Sequence, residues 1–336
     1  MRYAIEYNLC EHSVENKKAC LGTICHKVYE LLALRKFCSQ TGQDLIEDDL
    51  LGSIGPEECE LLSLLDRVFE VEINKGIHHF TKGDKKNVLT WLENVLQFND
   101  GAYNPAKLII VAPEKKFDIE LKYDWAKYSF DLSGKHYEGY ARLRGTADLL
   151  IDTGIKGVYQ LIDLKTGVRV DWTKADTPVK TSEYLLNDHQ MMMYYFAMRH
   201  LYPDLDDLLM TLFYTKDGEI GGFRGVPKRT ISGGPMHINF STDDLPKIEN
   251  MLKDTFKKII DIEIPKLNKT WACTSLCYFG KNPARQDPNQ TICEFYHKEI
   301  NDKGLIKVIE EHGNLSRFGN YTSGGGRSYK ENGEKE

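Results

Sequence analysis

The sequence predicts an α/β fold, and three observations carry that expectation. A stretch with helical apolar spacing begins at Gly22, with Ile24, Val28, Leu31 and Leu32 as its stripe. Between Lys107 and Lys165 the pattern turns strand-like, in segments 108–111, 128–132, 141–151 and 158–165. An apolar helix, 189–201, then leads to a second strand-like region that starts at Met210.

The remaining elements follow in order. Residues 40–107 read as mostly helical, for example from Glu58 and from Val88, and form a helical insertion of about those bounds. Segments 210–215 and 221–225 are joined through Lys216, Asp217 and Gly218, a hairpin signal. An amphipathic helix runs from Asp243 to about Ile264, with Ser241 or Thr242 as its cap and Pro265 as its stop. No clean linker interrupts the chain, so residues 1–320 are expected to form one elaborated domain, followed by a disordered tail, 321–336.

Composition sets bounds on function. The chain has 336 residues, 41% hydrophobic and 28% charged, the balance of a soluble globular protein. No apolar run is long enough to span a bilayer, and the first residues are too polar for a secretory signal, so a cytoplasmic protein without membrane partners is expected. The formal charge of −6 means that any nucleic-acid contact depends on local basic patches or bound cations. Five of the eight cysteines lie in the first 60 residues and three between 273 and 293. A disulfide framework is not expected without export. End-clustering fits a metal site joining the two ends of the chain.

The most informative interval is 145–167, two strands around a short polar turn. Side chains alternate along a strand, so Asp163 and Lys165 share one face and Leu164 takes the other. A turn centred near Gly154 puts Asp148 opposite residues 161 to 163, on the same face. Buried charges are costly unless paired or bound to metal. One reading is a salt bridge at a sheet edge. The other is a hard-cation site, with Asp148 and Asp163 holding Mg²⁺ or Mn²⁺. Lys165 would then orient and help deprotonate the attacking water, or offset charge on the phosphate. Two helical pairs extend the pattern. His26 and Glu30 are one turn apart, as are Gln190 and Tyr194, and a glutamine on a nearly all-apolar helix needs a partner.

The order Gly22-x3-His26-x3-Glu30, Gly145-Thr-Ala-Asp148, Ile162-Asp163-Leu-Lys165-Thr-Gly and Gln190-x3-Tyr194 resembles the RecB-type branch of the PD-(D/E)XK nuclease superfamily. That branch includes the nuclease domains of RecB and AddB and the CRISPR-associated adaptation nucleases. The resemblance implies a restriction-endonuclease-like core, a mixed β-sheet flanked by helices. It implies metal binding by His26, Asp148, Asp163 and the Leu164 carbonyl, and catalysis by Lys165. Gln190 and Tyr194 would support the site and contact DNA. The implied activity is Mg²⁺- or Mn²⁺-dependent hydrolysis of DNA phosphodiesters, by an exonuclease or end-processing enzyme of recombination, repair or replication. The alternative is a non-catalytic nucleic-acid-binding scaffold subunit. No helicase P-loop is present, so a helicase or annealing protein would be a separate partner.

Cys273, Cys277 and Cys293, with one N-terminal cysteine, resemble the iron–sulfur staple of AddB-like and CRISPR-associated members. Four thiolates suit a 4Fe–4S cluster or zinc. Cys10 is the expected fourth ligand and Cys20 the runner-up, so the staple would join 10–20 to 273–293. Candidate DNA-facing cations are Lys115, Lys116, Arg142, Arg144, Arg169, Lys174, Arg224, Lys228 and Arg229, with Trp172 as a candidate base-stacking residue.

Overall fold

The structure is a computed structural model and describes residues 9, 16–132, 134–170, 179–220, 228–262, 265–269, 273, 277–281 and 289–313. Cys10, Trp172, Lys174, Arg224 and the 321–336 tail lie outside the described residues.

In chain order the elements are α1 (Lys17–Thr41), β1 (Ile46–Asp48), β2 (Gly52–Ile54), α2 (Leu61–Asn74), α3 (Lys82–Leu96), β3 (Ile109–Glu120), β4 (Lys127–Leu132), β5 (Lys135–Tyr140), β6 (Arg142–Ile155), β7 (Val158–Lys165), α4 (Ser182–Leu186), α5 (His189–Leu201), β8 (Asp207–Tyr214), β9 (Gly218–Ile220), β10 (Arg229–Ile231), β11 (Gly234–Phe240), α6 (Leu245–Ile260), α7 (Tyr278–Lys281), α8 (Ile292–Lys303) and α9 (Leu305–His312). The chain divides into two compact units. One comprises 17–119 and 143–251; the other comprises 1–16, 120–142 and 252–336.

The first unit is built on a five-stranded sheet of order β11-β8-β7-β6-β3. It is mixed: β6 and β7 are antiparallel, β7 and β8 parallel, β8 and β11 antiparallel. A parallel pair cannot be joined by a tight turn. The chain therefore leaves β7 and crosses through α4 and α5 before returning as β8. Asp188 caps α5 by accepting the Gln190 amide hydrogen, and Met191, Met192 and residues 194–198 are buried. The α1 stripe of Ile24, Val28 and Leu31 is fully buried against Leu149, Ile162, Leu164 and Phe213. Helices α2 and α3 add Leu64, Leu65, Val88 and Leu92 to this core.

One local feature departs from the sequence expectation. Inside the stretch expected to be helical, β1 and β2 form a hairpin that pairs buried Ile46 with buried Ile54. Asp48 causes the turn by accepting the amide hydrogens of Leu50 and Leu51, which competes with helix formation. The second strand of the expected hairpin, 221–225, lies outside the described residues. The antiparallel partner of β8 is β11, while the turn after β8 leads into β9, which pairs with β10. Gly233 permits this return path, because a Cβ there would sit 2.7 Å from the Tyr214 carbonyl oxygen.

In the second unit, β4 and β5 form an antiparallel hairpin. An apolar cluster joins Leu9, Leu132, Tyr137, Phe279, Phe295, Tyr296, Ile300, Val308 and Ile309. Thr291 and Glu294 form a reciprocal cap at the start of α8. Among the described residues no helix is long and apolar enough to cross a membrane.

Candidate active site

The β6–β7 turn is tighter than its sequence suggests. Ile155 pairs with Val158, a bulge lies between Asp152 and Ile155, and Gly157 takes φ +78°. The turn thus lies beyond Gly154, and the bulge compensates. Leu149 pairs with Ile162, so one step along the same register brings Asp148 opposite Asp163. Lys165, on the same face as Asp163, ends β7. Leu164 points the other way into the core.

Asp148 Oδ2 accepts the Leu164 amide hydrogen at 2.9 Å and lies 2.9 Å from His26 Nδ1. Helix α1 therefore reaches the carboxylate through His26. Lys165 Nζ lies 2.6 Å from Asp163 Oδ2. Asp163 is only 2% exposed, and this oxygen has no partner at hydrogen-bond angles despite that contact. On α5, Gln190 Nε2 donates to the Tyr194 hydroxyl at 2.8 Å, which supplies the partner its apolar helix requires. Glu30 is taken up elsewhere. It binds Lys27, which also pairs with Asp48 at 2.7 Å.

The electrostatics follow from burial and these partners. Burial opposes the charge on His26, but the hydrogen bond and field of Asp148 overcome it and raise its pKa. Burial likewise opposes the charge on Lys165. Asp163, with Asp148 and Asp188 behind it, prevails, so Lys165 holds its proton more firmly than a free lysine. Asp163 is raised by burial, with Lys165 pulling in the opposite direction. Tyr194 is raised by burial and then by the fields of Asp163 and Asp148.

One neighbour escaped sequence reasoning. Glu114 sits in β3 with φ +45°, a conformation non-glycine residues rarely adopt. Burial first, then Glu30 and Asp148, push its pKa up to about 7. The only sequence sign was Pro113, which interrupts an otherwise regular strand pattern.

The donor chemistry fits a hard divalent cation: two carboxylates share one face, an imidazole stands beside one of them, and the buried carboxylate of Asp163 rests against the Lys165 ammonium. His26, Asp148 and Asp163 do not present three donor atoms mutually within 4.8 Å; each carboxylate instead leans on its nearest protein cation. Among the described residues the trio that meets that distance is Glu299, Glu311 and His312, where Lys303 already neutralises both glutamates.

The cysteines divide between the units. Cys20 is buried in α1, where its thiol donates to Glu72. Cys277 and Cys293 pack on the apolar cluster that contains Leu9, the residue before Cys10. Burial, then the neighbouring Cys277 and Cys273, pushes the Cys293 thiol up to about 11. The three sulfurs do not all lie within 4.8 Å of one another. Among the candidate DNA-facing cations, Arg144 pairs with Asp118 at 2.9 Å and Lys228 with Glu219 at 2.8 Å.

The site thus belongs to an α/β fold, a mixed five-stranded sheet with helices packed on it and a carboxylate pair and lysine on neighbouring strands. The family model of the PD-(D/E)XK nuclease superfamily matches residues 1–280, and the chain belongs to that superfamily. Its members are metal-dependent nucleases, which makes nucleic acid the implied substrate class. No curated protein matches the chain.

Proposed function

We propose that this protein is a Mg²⁺- or Mn²⁺-dependent DNA nuclease of the RecB/AddB-like branch, acting as an exonuclease or end-processing enzyme in recombination, repair or replication. The observation that carries the reading is the pair of contacts on neighbouring strands, Asp148 with His26 and Asp163 with Lys165, next to the Leu149–Ile162 pair of β6 and β7.

Asp148, Asp163, His26 and the Leu164 carbonyl would hold the cation. When bound, such a cation stabilises charge on the scissile phosphate and lowers the pKa of attached water. Of the two roles for Lys165, charge compensation fits better than proton abstraction, because Asp163 keeps its amine protonated. The Leu164 amide fixes one oxygen of Asp148, so that carboxylate cannot rotate freely. Gln190 and Tyr194, hydrogen-bonded to each other on α5, would support the site and contact the DNA. Cys10, Cys273, Cys277 and Cys293 would bind a 4Fe–4S cluster, with zinc as the alternative. A helicase, which would separate the strands, or an annealing protein would be a separate partner.

The test is incubation of purified protein with end-labelled DNA and Mg²⁺ or Mn²⁺. Degradation that stops with chelator, and is absent from Asp163→Ala, supports the reading. DNA binding without degradation by the wild type would instead identify a scaffold.

A further inference from the structure

A groove of about 370 Å³ opens at the carboxyl-terminal end of β8, lined in part by Trp91, Asn94, Phe98, Thr215, Lys216 and Gly234. It adjoins the candidate active site through the backbone. Lys165 pairs with Tyr214, and the Thr215 amide donates to the Lys165 carbonyl at 3.0 Å. Asp163 and Lys165 face one side of these strand ends, while the groove opens on the α3 side, beside Phe213.

Three features make this a built surface. Asn94 donates to the Thr215 carbonyl at 2.8 Å, fixing α3 to the end of β8. Directly after Phe98, Asn99 and Asp100 both take positive φ, +45° and +57°, and the Phe98 ring remains 38% exposed. It packs edge-on against Phe213, with centroids 5.3 Å apart. Gly234, which borders this ring, takes φ +96°, a backbone conformation that favours glycine.

The groove holds a cation, Lys216, and a carboxylate, Asp217, whose Oδ1 accepts the Gly233 amide hydrogen at 2.7 Å. Lys216 Nζ rests 4.4 Å from the centroid of the Trp91 ring. Among the described residues no carboxylate lies within 4 Å of that ammonium. Burial, then the nearby Lys18, weakens its hold on the proton. A half-buried cation next to a second cation is the local charge pattern that a phosphate relieves. A phosphate would draw Lys216 from the ring and leave Trp91 free for a base.

We propose that Trp91, Phe98 and Lys216 form a subsite for single-stranded DNA, in which unpaired bases stack on the two rings and Lys216 binds the intervening phosphate. Duplex DNA does not fit this chemistry, because its base faces are occupied by neighbouring bases. The assignment rests on the nuclease reading for its choice of strand chemistry, and it supplies that reading with a substrate class: an end with unpaired nucleotides.

The test is fluorescence anisotropy with a labelled oligothymidylate, using the full chain carrying Lys165→Ala and Mg²⁺, so that binding is read without cleavage. Trp91→Ala and Lys216→Glu should each weaken binding at least tenfold in that background. Trp91→Phe should restore it to within about threefold. Lys216→Glu should also reduce the slope of log affinity against log salt by about 1. Unchanged affinity in both Trp91→Ala and Lys216→Glu would overturn the subsite. So would a blunt duplex or an RNA oligomer that binds more tightly and loses as much from Trp91→Ala. Cleavage by the wild type is scored separately. Trp91-dependent binding by a chain that cuts nothing would defeat the nuclease reading alone, and cutting with Trp91-independent binding would defeat the subsite alone.

Discussion

His26 Nδ1 and the Leu164 amide both meet the same oxygen, Asp148 Oδ2, each at 2.9 Å. Burial opposes the imidazolium, but Asp148 raises the His26 pKa above its ordinary value. A group raised on folding contributes stability that is fully present below its unfolded pKa and lost as pH rises through its folded pKa. Stability should therefore decline from slightly acid to alkaline pH, and His26→Gln should remove that part of the decline. The same proton must leave before a cation can take Asp148 and the imidazole together. Mg²⁺ affinity should rise over the same pH range, with proton release detectable by calorimetry in buffers of different ionisation enthalpy. His26→Ala should weaken Mg²⁺ binding by about 10–100-fold. Affinity that is flat with pH and insensitive to His26 would remove this histidine from the site.

Asp163 and Lys165 form the second pair, with the carboxylate almost fully buried. Lys165→Met leaves that carboxylate without its cation. Breaking a buried pair costs about 3–5 kcal/mol, and the 27% exposure of the Lys165 side chain puts the expected cost at or below the lower end. Asp163 is already raised by burial, and losing Lys165 raises it further. A raised carboxyl costs stability as pH climbs through its folded pKa, and the cost vanishes below its unfolded value. The variant should be most destabilised near pH 8 and approach the wild type near pH 4. Urea unfolding at both pH values checks this. Activity should be lost at every pH where the variant is folded. A stability gap that widens on acidification would mean Asp163 is not the group responsible.

The strand pair and its charged face were legible because β-alternation fixes which residues share a side, whatever the exact turn. Asp163 and Lys165 needed only that rule. The partner of Asp163 needed the register, which depends on a bulge at Asp152–Ile155 that composition does not reveal. The β1–β2 hairpin was hidden for a related reason: an aspartate turn, Asp48 to Leu50 and Leu51, overrides local apolar spacing. Glu114 was missed because a positive-φ glutamate leaves no periodic trace. Lys216 read only as a turn residue, since its contact with Trp91 spans 125 positions that only tertiary packing brings together.

Gly22 and Thr166 predict how α1 controls the end of β7. A Cβ at position 22 would sit 2.7 Å from Thr166 Oγ1, and Thr166 directly follows Lys165. Gly22→Val should therefore push the Thr166 segment and displace Lys165. Overpacking of this kind costs about 1–3 kcal/mol. The activity loss should exceed tenfold, larger than the stability loss explains at a temperature where the variant remains folded. Adding Thr166→Ala should recover much of the activity, because it removes the atom that is met first. Additive loss in the double variant would show that the two positions do not communicate.

Cys293 predicts what holds the C-terminal thiols together. Burial and the adjacent Cys277 and Cys273 push its pKa up to about 11, so an uncoordinated thiolate is disfavoured there at neutral pH. A bound iron–sulfur cluster or zinc reverses that preference by ligating the deprotonated sulfur. Protein purified without oxygen should be brown and contain iron and sulfide, and Cys293→Ser should lose both. Because Cys277 and Cys293 pack against the cluster of Leu9, Phe279 and Phe295, the same variant should lower the melting temperature of that unit. Colourless protein with stoichiometric zinc would assign the thiols to zinc. Protein with neither metal, and a Cys293→Ser variant that melts like the wild type, would leave these cysteines as packing residues only, since an isolated buried thiol replaced by serine costs little beyond one hydroxyl's desolvation.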